Sequence, residues 1–569
     1  MKIFNSQGFS RHLSLVINRY SIFLLGIYLY VLVVGYRGGI DSRLFYSQWT
    51  ELLLLLYFYI YFYFILKHHR WRSLLAALPI IAGYLVQDAY YLFYGKVFRL
   101  IEILELPELL QVITFGYGVM VVVFLIVPLM LFFSVINYRK LHVITMGALP
   151  LGLLSALIIV SPNAYTDFIH AYGNGVVIYS DTSSVEKNGR YTMLFYKEAQ
   201  RLNALTMTEP YRKRVEYEQI AETKAENLRQ HSNHQNVHLI VLESFLDPRL
   251  FRRASFNRYP VHPDFEKIFG KKLGLSMSSV FGGATAQAEF EVLCGVPALE
   301  KLSSVEFNVF TGSPVYCLPG ILEKTGYRTI ATNAYKPNFF NALPAYKGIG
   351  FSEIYFPREY ASSEESYFSI KDVSNERYMF DSALFEQNLA FVAKSLEENR
   401  TTPLFNYMMT IYGHTPHTLD PAKRPEIIQV KSDYPDDHLQ RSTNQFYYRT
   451  QAIAKYIKEL IKLDKNSLII LVSDHVPPLR NGPNTYRELD YMGNIANYFY
   501  YNRLMIIDNA KPVVYRNIRH FDMADIVYNY ITDGDFCRQK SCAFLEKTPM
   551  QERESFLDQY YSLMAHASE

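Results

Sequence analysis

Two stretches of the chain decide its fold, residues 236–248, NVHLIVLESFLDP, and residues 278–299, SSVFGGATAQAEFEVLCGVPAL. In the first, the apolar and β-branched run from Val237 to Leu242 predicts a buried strand. Glu243 follows this run, where the strand meets its loop. Because α/β sheets bind their ligands at the carboxyl ends of the strands, Glu243 is a candidate functional residue.

The second stretch predicts a tight turn followed by a helix. Gly282 and Gly283 permit the turn, and apolar residues at helical spacing, among them Ala288 and Val292, follow Thr285. Thr285 is therefore expected at a helix N-terminus. Free N–H groups and the positive end of the helix dipole can stabilise an alkoxide or a phosphate there.

A third stretch, SLIILVSDHVPPL at residues 467–479, predicts another buried strand that ends in Asp474 and His475. Taken singly, a strand-end charge, a helix N-cap and an Asp-His loop all have ordinary structural explanations. Together, Glu243, Thr285, Asp474 and His475 supply three oxygens and one nitrogen, a donor set that suits a divalent cation.

The order strand-LESF, GGATAQAEFE, strand-SDH resembles the lipoteichoic acid synthase and phosphoglycerol transferase family of the sulfatase-like, alkaline-phosphatase superfamily. The resemblance covers about residues 237–533. It implies an extracytoplasmic α/β sandwich of the alkaline phosphatase/sulfatase type, preceded by a bundle of membrane helices. It also implies that Thr285 is the nucleophile and that Glu243, Asp474 and His475 bind one divalent metal with the Thr285 oxygen. Manganese is favoured slightly over zinc or magnesium.

Length and composition point to a membrane part and a polar part. The 569 residues exceed one ordinary domain. Half of the residues are hydrophobic and the mean hydropathy is −0.02, which is too apolar for a soluble enzyme and too polar for an all-membrane protein. The net charge of +3 gives no support to nucleic-acid binding.

The excess of apolar residues lies in residues 1–165, which we predict to be a transmembrane domain of five helices. Most of the apolar runs approach the ~20 residues that a helix needs to cross a bilayer. Trp49 and Trp71 lie beside the ends of runs, as interfacial anchors do. The five predicted spans are residues 20–36, 52–66, 74–94, 112–135 and 143–160.

Basic flanks predict the orientation of these spans. They precede the first span, follow the second and follow the fourth, whereas the alternate loops carry mixed charges. By the positive-inside rule the N-terminus is cytoplasmic, and everything after residue 160 is extracytoplasmic. Asp88 lies in the outer third of the third span, where a structural or interfacial role is expected. The basic flanks are Lys2, Arg11, Arg19, Lys67, Arg70, Arg72, Arg139 and Lys140.

Residues 166–235 are polar and charged, which predicts a juxtamembrane linker. Residues 236–569 then alternate short apolar runs with helical stretches, a pattern typical of an α/β sandwich with a mostly parallel sheet. Predicted strands are residues 237–242, 329–332, 404–410, 467–472 and 504–507. Predicted helices lie near residues 286–294, 321–325, 381–396 and 447–463.

All four cysteines fall in the predicted outer domain. We expect two disulfides, Cys294 with Cys317 and Cys537 with Cys542, although the sequence alone leaves the connectivity open. Disulfides suit a Gram-negative periplasm, so the expected location is the bacterial inner membrane with a periplasmic catalytic domain.

Residues 332–351, TNAYKPNFFNALPAYKGIGF, resemble the family segment in which a histidine, a tryptophan and an arginine bind the phosphoglycerol group. At those positions this chain has Asn333, Phe340 and Ala342. The departure puts the transferred group in doubt. Lys336 or Asn341 is a candidate for a replacement contact to phosphate.

Residues 408–418, MMTIYGHTPHT, present His414 and His417 after a strand. By resemblance, His414 lies near the metal site and can hydrogen-bond phosphate or protonate the departing diacylglycerol oxygen. His417 is a weaker candidate for substrate binding. Glu289 lies four residues after Thr285, on the same helix face, and is a candidate base or orienting group. We expect instead that it is a solvated charge on the helix surface.

Three functions remain open at this point. The first is a membrane-embedded transferase that moves phosphoglycerol from a phospholipid (phosphatidylglycerol) to a glycan through a phospho-threonine, with phosphatidylethanolamine and phosphoethanolamine as the alternative. The second is a hydrolase, either a phosphodiesterase or a sulfatase. A sulfatase is disfavoured because Gly-Ala-Thr-Ala-Gln at residues 283–287 lacks the C/S-x-P-x-R context, and the membrane anchor favours transfer over hydrolysis. The third is a scaffold protein on a degenerate fold, disfavoured because all four metal-site residues are present.

Overall fold

A computed structural model describes most of the chain and separates it into two compact units, Met1–Thr206 and Met207–Glu569. The boundary falls within the stretch predicted as a linker. The described residues are 18–33, 48–94, 97–106, 115–176, 181–361, 366–373, 375–399, 401–516, 518–540, 542–545 and 556–569.

The first unit is helical, and a helix lies at each of the five predicted spans. Among the described residues, two helical segments are long and apolar enough to cross a membrane, Arg72–Tyr91 and Tyr138–Val160. Three more apolar helices are shorter, Asn18–Val33, Trp49–Ile65 and Gly118–Ser134. Residues 34–36 and 112–114 of the predicted spans lie outside the described residues. The structure therefore supports two of the five spans by length and composition.

Other helices of this unit follow the last span, and buried polar contacts hold one of them to the earlier helices. The Glu51 carboxylate accepts hydrogen bonds from the Tyr84 hydroxyl (2.7 Å) and the Thr192 N–H (2.9 Å). Asp88 forms a 2.6 Å ion pair with Arg190, and both side chains are buried. Asp88 thus has a structural partner within the fold. The later helices are Pro162–Tyr172, Asp181–Asn188 and Arg190–Met207.

The second unit is built on a mixed sheet of nine described strands. The described strands of this unit are β1 Val237–Leu242, β2 Ala254–Phe256, β3 Gly274–Met277, β4 Arg328–Asn333, β5 Glu353–Tyr355, β6 Leu404–Met409, β7 Val430–Ser432, β8 Leu468–Ser473, β9 Tyr501–Asp508, β10 Lys511–Val513 and β11 Ile518–Arg519. The spatial order in the large sheet is β11-β3-β9-β8-β1-β6-β4-β5, with β10 paired to β9, while β2 and β7 form a separate pair. Strands β8, β1, β6, β4 and β5 run parallel, while β9 is antiparallel to β8 and β3.

Helices pack on this sheet, so the expected α/β architecture is confirmed. Every residue of β1, β6 and β8 is buried, as expected for strands covered on both faces. Helices Asp381–Glu398 and Asp437–Leu463 cover the face that carries Ile240 and Leu242. The other helices are Arg214–His231, Pro263–Phe269, Thr285–Cys294, Leu318–Thr325, Ala342–Gly348, Pro483–Glu488, Met523–Ile531, Asp535–Gln539 and Leu557–Ala567.

The two expected disulfides are present, Cys294–Cys317 and Cys537–Cys542. Cys294 is the last residue of helix Thr285–Cys294, and Cys317 precedes helix Leu318–Thr325. The first disulfide therefore ties the helix that begins at Thr285 to the segment that leads into β4.

We predict that reduction destabilises the second unit. The Cys294–Cys317 bond closes a loop with a sequence separation of 23. Constraining a loop of this length in the unfolded chain contributes about 3 kcal/mol. Thermal unfolding with and without dithiothreitol measures this, with the double variant Cys294→Ala, Cys317→Ala as the comparison. Equal unfolding temperatures in the two conditions, or four titratable thiols in the native protein, would contradict the prediction.

Candidate active site

Glu243 is fixed by contacts to its main chain as well as by its strand. Its N–H donates to Thr410 Oγ1 (3.0 Å), and its carbonyl accepts from Arg449 Nη1 (2.7 Å). Arg449 is 1% exposed, and its Nε donates to Asp381 Oδ2 at 2.6 Å. A buried guanidinium paired in this way holds the end of β1 in one position. The main chain that carries the Glu243 carboxylate is therefore fixed.

Gly413 lies against the same carbonyl. A Cβ built at this position would be 1.9 Å from the Glu243 carbonyl oxygen and 2.4 Å from Arg449 Nη1. No side chain fits there. The glycine therefore lets the loop that carries His414 approach the end of β1 closely.

Thr285 is the first residue of its helix, as the sequence predicts. Its Oγ1 lies 3.1 Å from Glu243 Oε2 and 3.4 Å from His475 Nε2. Ala284, immediately before it, has a left-handed backbone (φ 59°), and so has Ser244 after Glu243 (φ 47°). Non-glycine residues in this conformation are strained and occur preferentially at functional sites.

Asp474 and His475 follow β8 and complete the group. Asp474 Oδ1 accepts from the N–H groups of Ser244 (2.7 Å) and His475 (2.6 Å). Asp474 Oδ2 is buried and has no hydrogen-bond partner among the described residues. His475 Nδ1 donates to the Val476 carbonyl (3.1 Å), which leaves Nε2, 3.2 Å from Asp474 Oδ2, as the nitrogen with a free lone pair.

This arrangement fits a divalent cation. Ligand atoms of Glu243, Asp474 and His475 all lie within 4.8 Å of one another, and all three residues are buried. Burial, with the charge of Asp474 adding to it, raises the pKa of Glu243 well above its usual range. Two carboxylates buried side by side need a neutralising charge. The unpartnered Asp474 oxygen and the histidine oriented by a main-chain carbonyl are what a cation site requires.

His414 is half-buried in the loop after β6. Its Nδ1 donates to the Thr415 carbonyl (2.9 Å), so Nε2 is the nitrogen available to a ligand. Burial, with smaller effects from the charges of His475 and Arg377, lowers the pKa of His414 to about 4. His414 is therefore a neutral imidazole at neutral pH in the free protein.

His417 differs from His414 in its surroundings. It is fully buried, its ring lies 5.5 Å from the ring of His438, and its Nδ1 is 3.3 Å from Gln445 Oε1. His417 Nε2 is buried and has no hydrogen-bond partner among the described residues, so a role for His417 in substrate binding stays a prediction.

The segment predicted to bind the head group lies at the end of β4. The Asn333 side chain donates to the Tyr346 hydroxyl (2.9 Å) and accepts from the Tyr335 N–H (2.9 Å). Lys336 Nζ lies 5.6 Å from the centre of the Tyr335 ring. The Asn333 side chain is thus hydrogen-bonded to other residues of the protein. In the same segment, the Lys336 ammonium group lies beside an aromatic ring.

Phe340 and Asn341 form a strained turn in the same segment, with φ of 47° and 56°. The Asn341 amide donates to two main-chain carbonyls, those of Phe307 and Phe310, at 2.7 Å each. Ala342 is buried at the start of the following helix. Both hydrogen bonds of the Asn341 side-chain amide are thus made to main-chain carbonyls.

Glu289 is not the solvated helix charge that the sequence led us to expect. It is 4% exposed, and its Oε1 accepts hydrogen bonds from the hydroxyls of Tyr346 and Tyr407 (2.5 Å for Tyr407). Burial raises the pKa of Glu289 to about 7. The expectation was wrong because two tyrosines from other elements enclose this helix face.

Glu306 is a second fully buried carboxyl close to this helix. It accepts from the Glu300 N–H (2.7 Å) and the Tyr560 hydroxyl (3.0 Å), and its own N–H donates to Gln287 (2.8 Å). Burial, with the charge of Glu300 adding to it, raises the pKa of Glu306 to about 7, from 4.5 for the ordinary carboxyl.

We predict that Glu306→Gln stabilises the protein at alkaline pH. The folded state keeps the Glu306 proton over the window between 4.5 and about 7, in which the unfolded chain loses it. The folded state therefore binds more protons, and stability falls as pH rises through this window. The variant should match wild type near pH ~4 and gain about 2–3 kcal/mol near pH ~8 in denaturant titrations. An equal difference at both pH values would contradict this assignment.

Several residues that build the site carry no local sequence signal. Arg449 lies in the middle of a long helix, and Tyr346 and Tyr407 come from a short helix and a central strand. Tyr378, whose ring lies 5.2 Å from the His414 ring, lies shortly before helix Asp381–Glu398, outside any regular element. Their partners are distant in sequence, so only the folded chain reveals their contribution.

Part of this chain is similar to known proteins. A family model described as Sulfatase matches residues 235–516. This stretch, just under half of the chain, is similar to the sulfatase family. The match begins just before β1 and ends after β9, so it contains Glu243, Thr285, Asp474 and His475.

Curated relatives match only part of this chain. A Rhizobium meliloti (strain 1021) protein named for cyclic beta-1,2-glucan modification is 25% identical over 270 residues, 47% of this chain and 39% of that protein. A lipoteichoic acid synthase of Staphylococcus saprophyticus is 24% identical over 200 residues, 34% of this chain and 28% of the relative. The chain thus spans less than two-fifths of the length of these curated relatives.

Among solved structures, the phosphoglycerol transferase GacH of Streptococcus pyogenes, in complex with sn-glycerol-1-phosphate, has a TM-score of 0.45 and 17% identity. The alignment covers 64% of this chain and 92% of GacH. Lipoteichoic acid synthase LtaP of Listeria monocytogenes has a TM-score of 0.43 and 16% identity, over 55% of this chain and 78% of LtaP. The similarity to the sulfatase family rests on the sequence match and not on these scores.

Proposed function

We propose that this protein is a metal-dependent transferase that moves phosphoglycerol from a membrane phospholipid to an extracytoplasmic glycan. One observation carries the proposal: the Thr285 hydroxyl, at a helix N-terminus, lies within 3.4 Å of both a buried carboxylate and a histidine nitrogen. A hydroxyl in such surroundings is suited to attack phosphorus, and the N–H groups of the helix end stabilise the anionic product.

The chain's own residues account for the first step. Thr285 Oγ1 attacks the phosphodiester phosphorus and gives up its proton to solvent; before the attack, its hydroxyl is oriented by a hydrogen bond to Glu243 Oε2, 3.1 Å away. The bond from phosphorus to the diacylglycerol oxygen breaks, and a phospho-threonine diester remains. A divalent cation held by Glu243, Asp474, His475 and the Thr285 oxygen would lower the pKa of the hydroxyl and offset the charge on the phosphate.

His414 is proposed to move the second proton. Binding of an anionic phosphodiester favours the protonated imidazole, and Nε2 then delivers its proton to the departing diacylglycerol oxygen. In the second step the neutral Nε2 takes a proton from the glycan hydroxyl that attacks phosphorus. Thr285 leaves and takes a proton from solvent, so Thr285 and His414 return to their starting state.

Phosphatidylethanolamine, with transfer of phosphoethanolamine, is the alternative. Asn333 and Ala342 stand where the resembled family has a histidine and an arginine, and this observation favours keeping the alternative. The names of the relatives, a lipoteichoic acid synthase and a protein of cyclic beta-1,2-glucan modification, support an envelope glycan as acceptor. A hydrolase is disfavoured because a lipid donor explains apolar helices ahead of the catalytic domain.

We further propose that the protein is anchored in the bacterial inner membrane by several spans, with the catalytic domain in the periplasm. Two candidate spans and three shorter apolar helices support the anchor, and two disulfides suit an oxidising compartment. Manganese is the proposed metal, with zinc or magnesium as alternatives.

Release of diacylglycerol tests the proposed function. Full-length protein in detergent is incubated with Mn²⁺ and vesicles of phosphatidylglycerol or of phosphatidylethanolamine, with and without EDTA. We expect release from phosphatidylglycerol that EDTA and Asp474→Asn abolish. Release from phosphatidylethanolamine alone would select the alternative head group. No release from either lipid, by protein that is folded by circular dichroism, would contradict the proposal.

A further inference from the structure

Tyr378 has a hydroxyl that the fold leaves without a partner. The residue is 6% exposed, and its Oη is buried with no hydrogen-bond partner among the described residues. Its ring lies 5.2 Å from the His414 ring. A buried hydroxyl costs free energy unless it is hydrogen-bonded. A buried, unpartnered hydroxyl on a ring next to His414 therefore points to a polar ligand.

Arg377 brings a positive charge to the same place. Its guanidinium lies 5.5 Å from the centre of the Tyr378 ring. Since the Tyr378 ring is itself 5.2 Å from the His414 ring, Arg377 and His414 both lie next to Tyr378. The Arg377 main-chain N–H donates to Thr418 Oγ1 (3.2 Å), so the segment that carries Arg377 is tied to the loop that carries His414.

The aromatic surroundings extend from Tyr378 to the end of β4. The Tyr335 ring lies 6.2 Å from Tyr378 and 5.7 Å from Tyr360. Lys336 Nζ is 5.6 Å from the Tyr335 ring and 5.9 Å from the Tyr360 ring. Cations at both ends of an aromatic cluster, next to His414, form a surface that suits a phosphate with an organic substituent.

We propose that Tyr378 and Arg377 form, with His414, the phosphate-binding side of the donor subsite. Tyr378 Oη donates to a non-bridging phosphate oxygen, and Arg377 supplies the positive charge that neutralises the bound phosphodiester. This inference rests on the proposed function, since it assigns the donor's phosphate to that site. It names two residues that act on substrate binding rather than on the attack by Thr285.

Binding of a small phosphoester tests the inference separately from turnover. The probe is sn-glycerol 1-phosphate, titrated by calorimetry into full-length protein with Mn²⁺. Loss of one hydrogen bond to a charged group is expected to weaken binding about tenfold in Tyr378→Phe. Arg377→Gln should weaken it by a similar factor, and Arg377→Lys, which keeps the charge, by less.

Tyr448→Phe and Arg487→Gln are matched controls. In the wild type, the Tyr448 hydroxyl donates to the Pro425 carbonyl, and the Arg487 guanidinium lies beside Glu488. Both variants should leave binding unchanged. In the diacylglycerol assay, Tyr378→Phe is expected to raise KM for lipid more than it lowers kcat.

The two assays fail independently. Unchanged affinity for sn-glycerol 1-phosphate in folded Tyr378→Phe and Arg377→Gln, or absence of binding by wild type, would overturn the inference even where wild type releases diacylglycerol. Weakened binding in both variants would support the phosphate subsite. Absence of diacylglycerol release from wild type would count against the proposed function alone.

Discussion

Thr285→Ala should release no diacylglycerol from phospholipid vesicles while it keeps the unfolding temperature of wild type. The Thr285 hydroxyl faces Glu243 and His475 at the site rather than the apolar core, so its removal leaves the packing intact. Loss of a covalent nucleophile lowers turnover by a factor on the order of 10³ or more. Phospholipid turnover with thin-layer or mass-spectrometric detection of diacylglycerol, beside a thermal melt, measures both properties.

Two variants act as controls for Thr285→Ala. Thr285→Ser keeps a hydroxyl and should retain measurable turnover. Thr223→Ala removes an exposed hydroxyl that bonds only its own helix, to the Gln219 carbonyl, and should behave as wild type. Lipid turnover that persists in folded Thr285→Ala would remove Thr285 from the reaction and with it the phospho-threonine.

Gly413→Ala is expected to lose both activity and stability. The added methyl carbon would stand 1.9 Å from the Glu243 carbonyl oxygen and 2.4 Å from Arg449 Nη1, so the loop, the end of β1 or the guanidinium has to move. Displacement of a buried, paired guanidinium costs about 3 kcal/mol or more. Because His414 follows Gly413 and Glu243 accepts from Arg449, the site should be displaced as well.

Gly152→Ala is the matched control, because a Cβ added at Gly152 would have no neighbouring atom within 4 Å. Denaturant titration and the diacylglycerol assay should distinguish the two glycine variants clearly. A Gly413→Ala protein with the stability and turnover of wild type would mean that the close contact between Gly413 and Glu243 is not needed for the site.

Long apolar runs could be read from the sequence, whereas short strands could not. β1 begins and ends where the run of residues 237–242 does, and β4, β6, β8 and β9 lie at the other predicted positions. The three-residue strands Ala254–Phe256 and Val430–Ser432 pair with each other. Three residues carry no periodicity, so such pairs depend on contacts that the fold creates.

Helix Asp437–Leu463 begins ten residues before the predicted start at residue 447. Its first turns contain polar residues that are nevertheless buried, among them Ser442, Asn444 and Gln445. Hydrophobic periodicity cannot find a helix face of this kind. The Asp436 side chain, which accepts from the N–H groups of residues 438 and 439, is the local signal that could have located the start.

The candidate site divides in the same way. Glu243, Thr285, Asp474 and His475 could be brought together from the sequence because parallel strands deliver their carboxyl ends to one edge. Residues that fix or extend the group, such as Arg449 and Tyr378, reach it from elements far along the chain. Long-range packing of this kind is decided by the whole fold and leaves no motif.

The most direct test of the central claim is the intact mass of the purified protein after incubation with phosphatidylglycerol and, separately, with phosphatidylethanolamine. Thr285→Ala is measured beside wild type, with Mn²⁺ and without a glycan acceptor. We predict a phosphoglycerol adduct on wild type from phosphatidylglycerol and none on the variant. The same adduct on Thr285→Ala, or diacylglycerol release by wild type with no adduct on rapid quenching, would contradict a reaction through a phospho-threonine at residue 285.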